Sequence, residues 1–365
     1  MFGIKGIPLP AGAEVVAEEL GSRLVKRGHE VIAYVRPHYT PKTLKEYRGI
    51  RLIHLPSVPT KNLDAITHSF LCSIAVLFEK PDVVHIHSTG NSIYALWLRV
   101  FGLKVLVQSH GLDWQRAKWG KIAKAYLKFT DFSTVNFPNA ISAVSIKMKH
   151  YYENRFKREV VYIPNGVNIC RHVEPNEILK FGLKGNDYIF FAARLVPEKG
   201  AHYLIKAFQM IENRSMRLVI AGDGPINDKY VQSIKQFAND RIIFPGFVQG
   251  KLLQEFLSNA IVYVLPSEIE GLSTGLLEAM GYGNCVLVSN IEENLEAIGD
   301  AGFAFENKNV MDLKDKLNFL LNNQDIVVRM RKLAKESVNH RYNWETITDQ
   351  FEDLYQKIVS AKTIL

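Results

Sequence analysis

The sequence predicts an α/β protein of two doubly wound domains facing each other across a cleft, and three observations carry that prediction. Short β-branched runs alternate with helical patterns along the chain, the signature of βαβ units and parallel sheets. The alternation restarts after Pro164-Asn165-Gly166, a turn sequence that divides it into two series. The 365 residues also suit two domains of roughly 150–200 residues better than one. A first domain over 1–165 and a second over 166–345 follow.

In the first series the spacing predicts strands over Val31–Val35, Ile50–Leu55, Asp82–Ile86, Lys104–Gln108, Ile141–Val144 and Val160–Ile163. A helix is expected over Ala13–Lys26, because Val16, Leu20 and Leu24 recur at i, i+4 and i+8. Gly28 ends it, as helix C-termini prefer. In the second series strands are expected over Tyr188–Ala193, Arg217–Ala221, Ile242–Phe244, Ile261–Leu265 and Cys285–Ser289. A last helix, about Trp344 to Ile358, lines Ile347, Phe351 and Leu354 along one face. Periodicity alone makes it a cap on the second domain.

Composition narrows the function classes. With 47% hydrophobic and 22% charged residues, the chain is neither disordered nor fibrous. A net charge of +8 suits phosphate-bearing ligands, nucleic acid or an anionic membrane. The basic residues are scattered and no nucleic-acid reading motif occurs, which argues against nucleic acid. Cys72, Cys170 and Cys285 are widely spaced and odd in number, so they read as buried thiols of a reducing compartment. Pro8, Pro10 and Glu14 interrupt any signal-peptide core. The most apolar run, Phe70 to Phe78, is far short of the ~20 residues of a spanning helix. A cytoplasmic protein, soluble or resting on the inner membrane face, is expected.

Ligands of open α/β sheets lie beyond the carboxyl ends of the strands, and four segments there carry chemistry. After Leu265 comes Ser267-Glu268-Ile269-Glu270-Gly271-Leu272-Ser273-Thr274-Gly275-Leu276-Leu277-Glu278. Gly271, Leu272, Ser273 and Thr274 are expected to form a turn and the first helical turn, whose free amides favour an anion. Glu270 just before that helix and Glu278 one turn inside can accept hydrogen bonds from sugar or ribose hydroxyls. Spacing alone allows equally a capping residue and a solvated helix position. After Ala193 comes Arg194-Leu195-Val196-Pro197-Glu198-Lys199-Gly200, in which two cations can clamp a diphosphate, or simply meet solvent.

Gln108-Ser109-His110-Gly111 closes a strand of the first series, and His110 can donate a hydrogen bond from its ring, or be structural. His85-Ile86-His87 mimics a metal pair, but side-chain alternation is taken to point the two rings to opposite faces, so no metal site is expected. The early loop Gly6-Ile7-Pro8-Leu9-Pro10-Ala11-Gly12-Ala13-Glu14 resembles a phosphate-facing turn without being a dinucleotide or Walker motif.

Taken in order, these segments resemble the retaining glycosyltransferases of family 4, which have the GT-B fold of two Rossmann-like domains. The matching elements are Ala11-Gly12-Ala13-Glu14, Arg27-Gly28-His29-Glu30-Val31, Asp82-Val83-Val84-His85-Ile86-His87, His110-Gly111 and Pro164-Asn165-Gly166-Val167. Arg194…Lys199-Gly200, Ala221-Gly222-Asp223-Gly224-Pro225, Pro266-Ser267 and the Glu270-x7-Glu278 pair complete the series. Lys5-Gly6-Ile7-Pro8 and His110-Gly111-Leu112-Asp113-Trp114 look most like a rhamnosyltransferase-like subgroup. Only Met1 to Ile4 precede the first loop, a shorter opening strand than the family's. Ala11 stands where a second Gly is common, and Asn168 where Asp is common.

The resemblance implies roles by position. Arg194 and Lys199 would neutralise the leaving diphosphate. Glu278 would hold the ribose and Glu270 the donor sugar, helped by the amides of Gly271, Leu272, Ser273 and Thr274. His110 and Gly12 would reach the sugar and phosphate from the other domain. The last helix, about 346–365, would cross back to the first domain, which would then be the acceptor side, with residues 166–345 binding the nucleotide sugar. No cofactor and no metal are implied, in keeping with the lack of an Asp-x-Asp cluster. The leaving phosphate oxygen would itself take the acceptor proton, so no separate base is needed. The expected function is transfer of a hexose or deoxyhexose to a glycan or lipid-linked acceptor in polysaccharide or glycoconjugate synthesis.

The alternative is a sugar-nucleotide-binding partner protein without transferase activity, which is expected to lose Arg194, Lys199 or Glu270. All three are present. Lys118, Lys121, Lys124 and Lys128 interleave with Trp119, Ile122, Tyr126 and Leu127, which suits peripheral membrane contact; a solvated amphipathic helix is the other reading.

Overall fold

In the computed structural model the described residues are 1–60, 63–112, 121–224 and 228–361, the side chains of 121–124 excepted. The chain divides into two compact units, Met1–Gly166 with Trp344–Leu365, and Val167–Asn343.

Unit 1 carries strands β1 (Ile32–Val35), β2 (Glu46–Tyr47), β3 (Ile50–His54), β4 (Val84–Ile86), β5 (Val105–Ser109), β6 (Ala140–Ala143) and β7 (Val161–Tyr162). Its helices are α1 (Gly12–Lys26), α2 (Asp64–Glu79), α3 (Tyr94–Val100), α4 (Lys121–Asn136) and α5 (Ile146–Phe156), with the last helix of the chain, α13 (Trp344–Ser360). The strands order as β1-β3-β2 and β4-β5-β6-β7. The first residues join the two groups. Tyr34 N–H donates to Met1 O, Phe2 N–H to His85 O, and His87 N–H to Phe2 O. Short as it is, the opening segment therefore lies between β1 and β4.

One face of this sheet is covered by α1 and α13, where Val16, Leu20, Leu106, Ile347 and Phe351 form one core. The other is covered by α2 and α3 around Cys72, Val76, Val84, Val107 and Leu98. The last helix thus belongs to unit 1 and does not cap the second. Its apolar stripe, regular at helical spacing, finds its partner in α1.

Unit 2 carries β8 (Tyr188–Ala192), β9 (Arg217–Ala221), β10 (Ile242–Gly246), β11 (Val262–Leu265), β12 (Cys285–Ser289) and β13 (Phe303–Phe305). The helices are α6 (Ala201–Gln209), α7 (Lys229–Lys235), α8 (Gly250–Asn259), α9 (Thr274–Gly281), α10 (Glu292–Ile298), α11 (Val310–Asn322) and α12 (Gln324–Arg341). The order β10-β9-β8-β11-β12-β13 is parallel throughout. Central strands such as Cys285–Ser289 are buried on both faces, as continuous apolar runs require. Strand order reverses between β8 and β11, and that reversal leaves a crevice at their carboxyl ends.

The three cysteines are unbridged; Cys72 and Cys285 are buried, but Cys170 is only half-buried. No helix among the described residues is long and apolar enough to cross a membrane.

Candidate active site

The loops after β8 and β11 hold the residues singled out in the second unit. They meet at the point where strand order reverses. Gly200 caps α6 with φ 73°, and a Cβ there would lie 2.0 Å from Pro266 O. Only glycine lets the two loops close this far. Glu268 N–H donates to Glu198 O at 2.9 Å across the same seam. Gly222, at φ 137°, approaches Ala193 O so closely that a Cβ would sit 1.9 Å away. Leu195 N–H donates to Asp223 O at 2.9 Å. The loop from Arg194 to Lys199 is therefore pinned on both sides.

This closure brings together two residues that lie 71 apart in sequence. Lys199 Nζ donates to Glu270 Oε1 at 2.5 Å, and Ser267 Oγ donates to the same oxygen at 2.6 Å. The Glu270 side chain is 7% exposed and that of Lys199 is 16%. Glu270 Oε1 thus has both a cation and a hydroxyl on it, a charge-assisted arrangement. Ser267 is fixed from behind, since Ser289 Oγ donates to Ser267 O and Asn294 Nδ2 donates to Ser289. Beside it Glu268 accepts from Tyr203 OH and Lys308 Nζ, each at 2.8 Å. Burial pushes the Glu268 carboxyl up, but these two donors outweigh it and hold the group below the ordinary range. Arg194 is exposed at the strand end.

The helix that follows Glu270 starts later than the spacing suggests. Helix α9 begins at Thr274, with Ser273 as N-cap accepting from Leu276 N–H at 3.3 Å. Gly271 and Leu272 precede the helix instead of opening it, and Leu272 is buried. Glu278, one turn into α9, is partly buried, and burial raises its carboxyl above the ordinary range. It is not the solvated helix position that spacing equally allowed.

In unit 1, His110 follows β5, and its Nε2 is buried without a hydrogen-bond partner. Burial brings its pKa down to about 4, so the ring is neutral near pH 7. His85 and His87 do not point to opposite faces. Residues two apart on a strand share a face, and the two rings stack at 3.9 Å. His87 in turn stacks on His110 at 5.8 Å. Among the described residues no three metal-ligating side chains are grouped to hold an ion. His85 Nδ1 meets Tyr355 OH of α13 at 2.8 Å. Gly12 opens α1, whose N-cap Ala11 supplies no side-chain acceptor. Two residues on, the Glu14 carboxylate accepts from Lys5 N–H at 3.0 Å and ties down the early loop.

Asp113, Trp114, Lys118, Trp119 and Pro225, and the side chains of Lys121, Ile122 and Lys124, lie outside the described residues. Sequence reasoning missed Tyr203 and Lys308, and named Gln108 only as part of the segment that leads to His110. Only Gln108 carried a signal, as a polar residue inside an apolar strand.

Two family models match in succession, Glycosyltransferase Family 4 over residues 10–171 and Glycosyl transferases group 1 over residues 175–337. The chain belongs to glycosyltransferase family 4. Among its relatives is the UDP-Gal:alpha-D-GlcNAc-diphosphoundecaprenol alpha-1,3-galactosyltransferase of Escherichia coli. The two are 28% identical over 307 residues, 78% of this chain and 77% of that one. The fold is that of sucrose-phosphate synthase from Thermosynechococcus elongatus, with TM-score 0.83, 19% identity, and 96% and 94% of the two chains covered. It is also that of Anabaena HepE in complex with UDP-glucose, with TM-score 0.82, 17% identity and 98% of each chain covered. The transferase therefore has the GT-B fold.

Proposed function

We propose that this glycosyltransferase moves a hexosyl or deoxyhexosyl group from a nucleoside-diphosphate donor to a glycan or lipid-linked acceptor, with retention of configuration and without a bound metal. The observation that carries the reading is the junction of the Arg194–Lys199 and Ser267–Glu278 segments at the reversal point of the second sheet. In this reading unit 2 holds the donor and unit 1 serves the acceptor. Arg194 and Lys199 take up charge as the anomeric C–O bond breaks and the diphosphate leaves. Glu270, relieved of Lys199, accepts hydrogen bonds from sugar hydroxyls, and Glu278 accepts from the ribose. Amides of Gly271, Leu272, Ser273 and Thr274 add donors, and in this reading His110 and Gly12 of unit 1 have roles towards sugar and phosphate. The acceptor oxygen attacks the anomeric carbon, and its proton goes to the departing phosphate oxygen.

A role at the cytoplasmic face of a membrane, in polysaccharide or glycoconjugate synthesis, goes with this. Trp97 and Phe101 near the end of α3 and Phe129 and Phe132 on α4 are 45–54% exposed. Lys128 lies beside them, while Asp131, the acidic residue of α4, is buried. Aromatics edged by cations suit a headgroup layer. The relative from Escherichia coli is named for a diphosphoundecaprenol substrate.

The test is slow donor hydrolysis across a panel of nucleotide sugars, without added metal, with the released anomer read by NMR. One donor is expected to be cleaved with retention, and Glu270→Ala is expected to lose the activity. Binding without any cleavage or transfer would instead support a sugar-nucleotide-binding partner protein.

A further inference from the structure

Beneath His110 the sheet of unit 1 carries a line of buried polar side chains that the roles above leave unused. The register pairs Gln108 with Ser142 across β5 and β6, and Ile86 with Val107 across β4 and β5. One step beyond that last pair, His87 comes level with Gln108. His87, Gln108 and Ser142 therefore form one row across three strands, on the face of Leu106 that α1 and α13 cover. His85 lies two residues before His87 on this face, and His110 two residues after Gln108.

These side chains are closed off from solvent, and most of their polar atoms are unpaired, the exception being His85 Nδ1, which meets Tyr355 OH. His87 is 1% exposed, Gln108 and Ser142 are 0%, and His85 is 2%. Both ring nitrogens of His87, both amide atoms of Gln108, Ser142 Oγ, and the Nε2 atoms of His85 and His110 have no hydrogen-bond partner within the protein. Burial pushes His85 and His87 well below the ordinary imidazole range; the Gln108 side chain lies within hydrogen-bonding reach of both rings and favours their protonated forms, but at a geometry that leaves these atoms unsatisfied. Buried polar atoms are almost always satisfied, and leaving one unpaired is costly. So many in one place call for internal water, which bridges about three such groups per molecule.

We propose that His87, Gln108 and Ser142 form a buried water-holding row that fixes the ring and tautomer of His110, and so act as positioning residues for sugar transfer. The second half rests on the role given to His110 above. A neutral imidazole carries one proton on either of two nitrogens. Water held by the row at Nε2 decides which one, and thereby whether the other nitrogen donates or accepts towards a ligand.

The test uses the full-length transferase with 15N-labelled histidine, the His110 signals being assigned by their loss in His110→Gln. At pH 7 wild type is expected to show one neutral tautomer at His110. Gln108→Met, which keeps shape but removes both polar atoms, is expected to give a mixture, while His87→Gln retains the single form. With a donor established, Gln108→Met is expected to lower kcat about ten- to a hundredfold with little change in donor KM. Ser142→Ala replaces Gln108→Met if the latter fails to fold. A single, unshifted tautomer in the folded Gln108→Met or Ser142→Ala protein would overturn the row. A changed tautomer with unchanged kcat would overturn the positioning role. The tautomer measurement needs no substrate, so failure to find a donor counts against the transfer reading and leaves the row to be judged by NMR.

Discussion

Glu270 is ion-paired and hydrogen-bonded before any ligand arrives, and this sets what its neighbours do when changed. Removing Lys199 leaves a carboxylate that is 7% exposed with only Ser267 on the oxygen the two donors shared. Lys199→Met is expected to cost about 1–3 kcal/mol of stability. Adding Glu270→Gln, which removes the charge but keeps an acceptor for Ser267, should recover most of that loss. Urea denaturation of the single and double variants measures it; additive losses would contradict the pair. Gly200 is constrained in another way. Its positive φ and its contact with Pro266 O leave no room for a Cβ. Gly200→Ala is therefore expected to push the β8 and β11 loops apart, weakening donor binding at least about tenfold and lowering Tm by several degrees.

At the scale of elements, α13 shows which of two interaction types holds it to α1. Arg27 meets Glu345, Asp349 and Glu352, and His29 Nε2 meets Glu352 at 2.7 Å. The Glu345 and Asp349 side chains are 65% and 64% exposed. Pairs so open contribute little each and fade with salt. Phe351, by contrast, is fully buried with Val16 and Leu20 in one core. Phe351→Ala is expected to cost about 3–5 kcal/mol. Arg27→Ala should cost about 1 kcal/mol or less, and less still in high salt. Equal costs in chemical denaturation would mean that the ion pairs carry the helix.

Most elements were legible because long apolar runs and regular spacing survive in a single sequence. Helix α1, strands β9 and β12, and the start of α13 lie within a residue of where the pattern puts them. Strands β2 and β13 were not legible, being two and three residues long. The side of α13 that finds a partner depends on packing, and periodicity alone assigned it to the wrong unit. At the site, the types of residue at strand ends were readable, but the Lys199–Glu270 contact depends on how the β8 and β11 loops close. The stacked His85 and His87 rings were open to sequence reasoning, since residues two apart share a face; misapplied alternation hid them.

For the whole molecule, protonation of buried imidazoles sets the response to acid. Burial brings His68 and His110 down to about 4 and holds His85 and His87 well below the ordinary range. These groups bind protons more readily unfolded, so stability is full above about pH 6.5 and falls as pH drops towards 4. Glu278, raised by burial, acts in the opposite direction; the Met1 amine, brought down to about 5, and His54 add to the effect in unit 1, and His202 adds to it in unit 2. His68, His85, His87 and His110 all lie in unit 1. The denaturation midpoint of unit 1 is expected to fall between pH 7.5 and 5.5, and that of unit 2, where His202 is the imidazole lowered by burial and the raised Glu278 opposes it, to fall less. Equal shifts in both units would contradict this assignment.

In the proposed function, the reversal point of the second sheet binds the donor diphosphate. Titration calorimetry of nucleoside diphosphates, without added metal, into wild type, Arg194→Ala and Lys199→Ala tests it most directly. Saturable binding by wild type, weakened about tenfold or more in each variant while the fold is kept, is the predicted result. Binding of equal strength in all three proteins, or none in wild type, would contradict it.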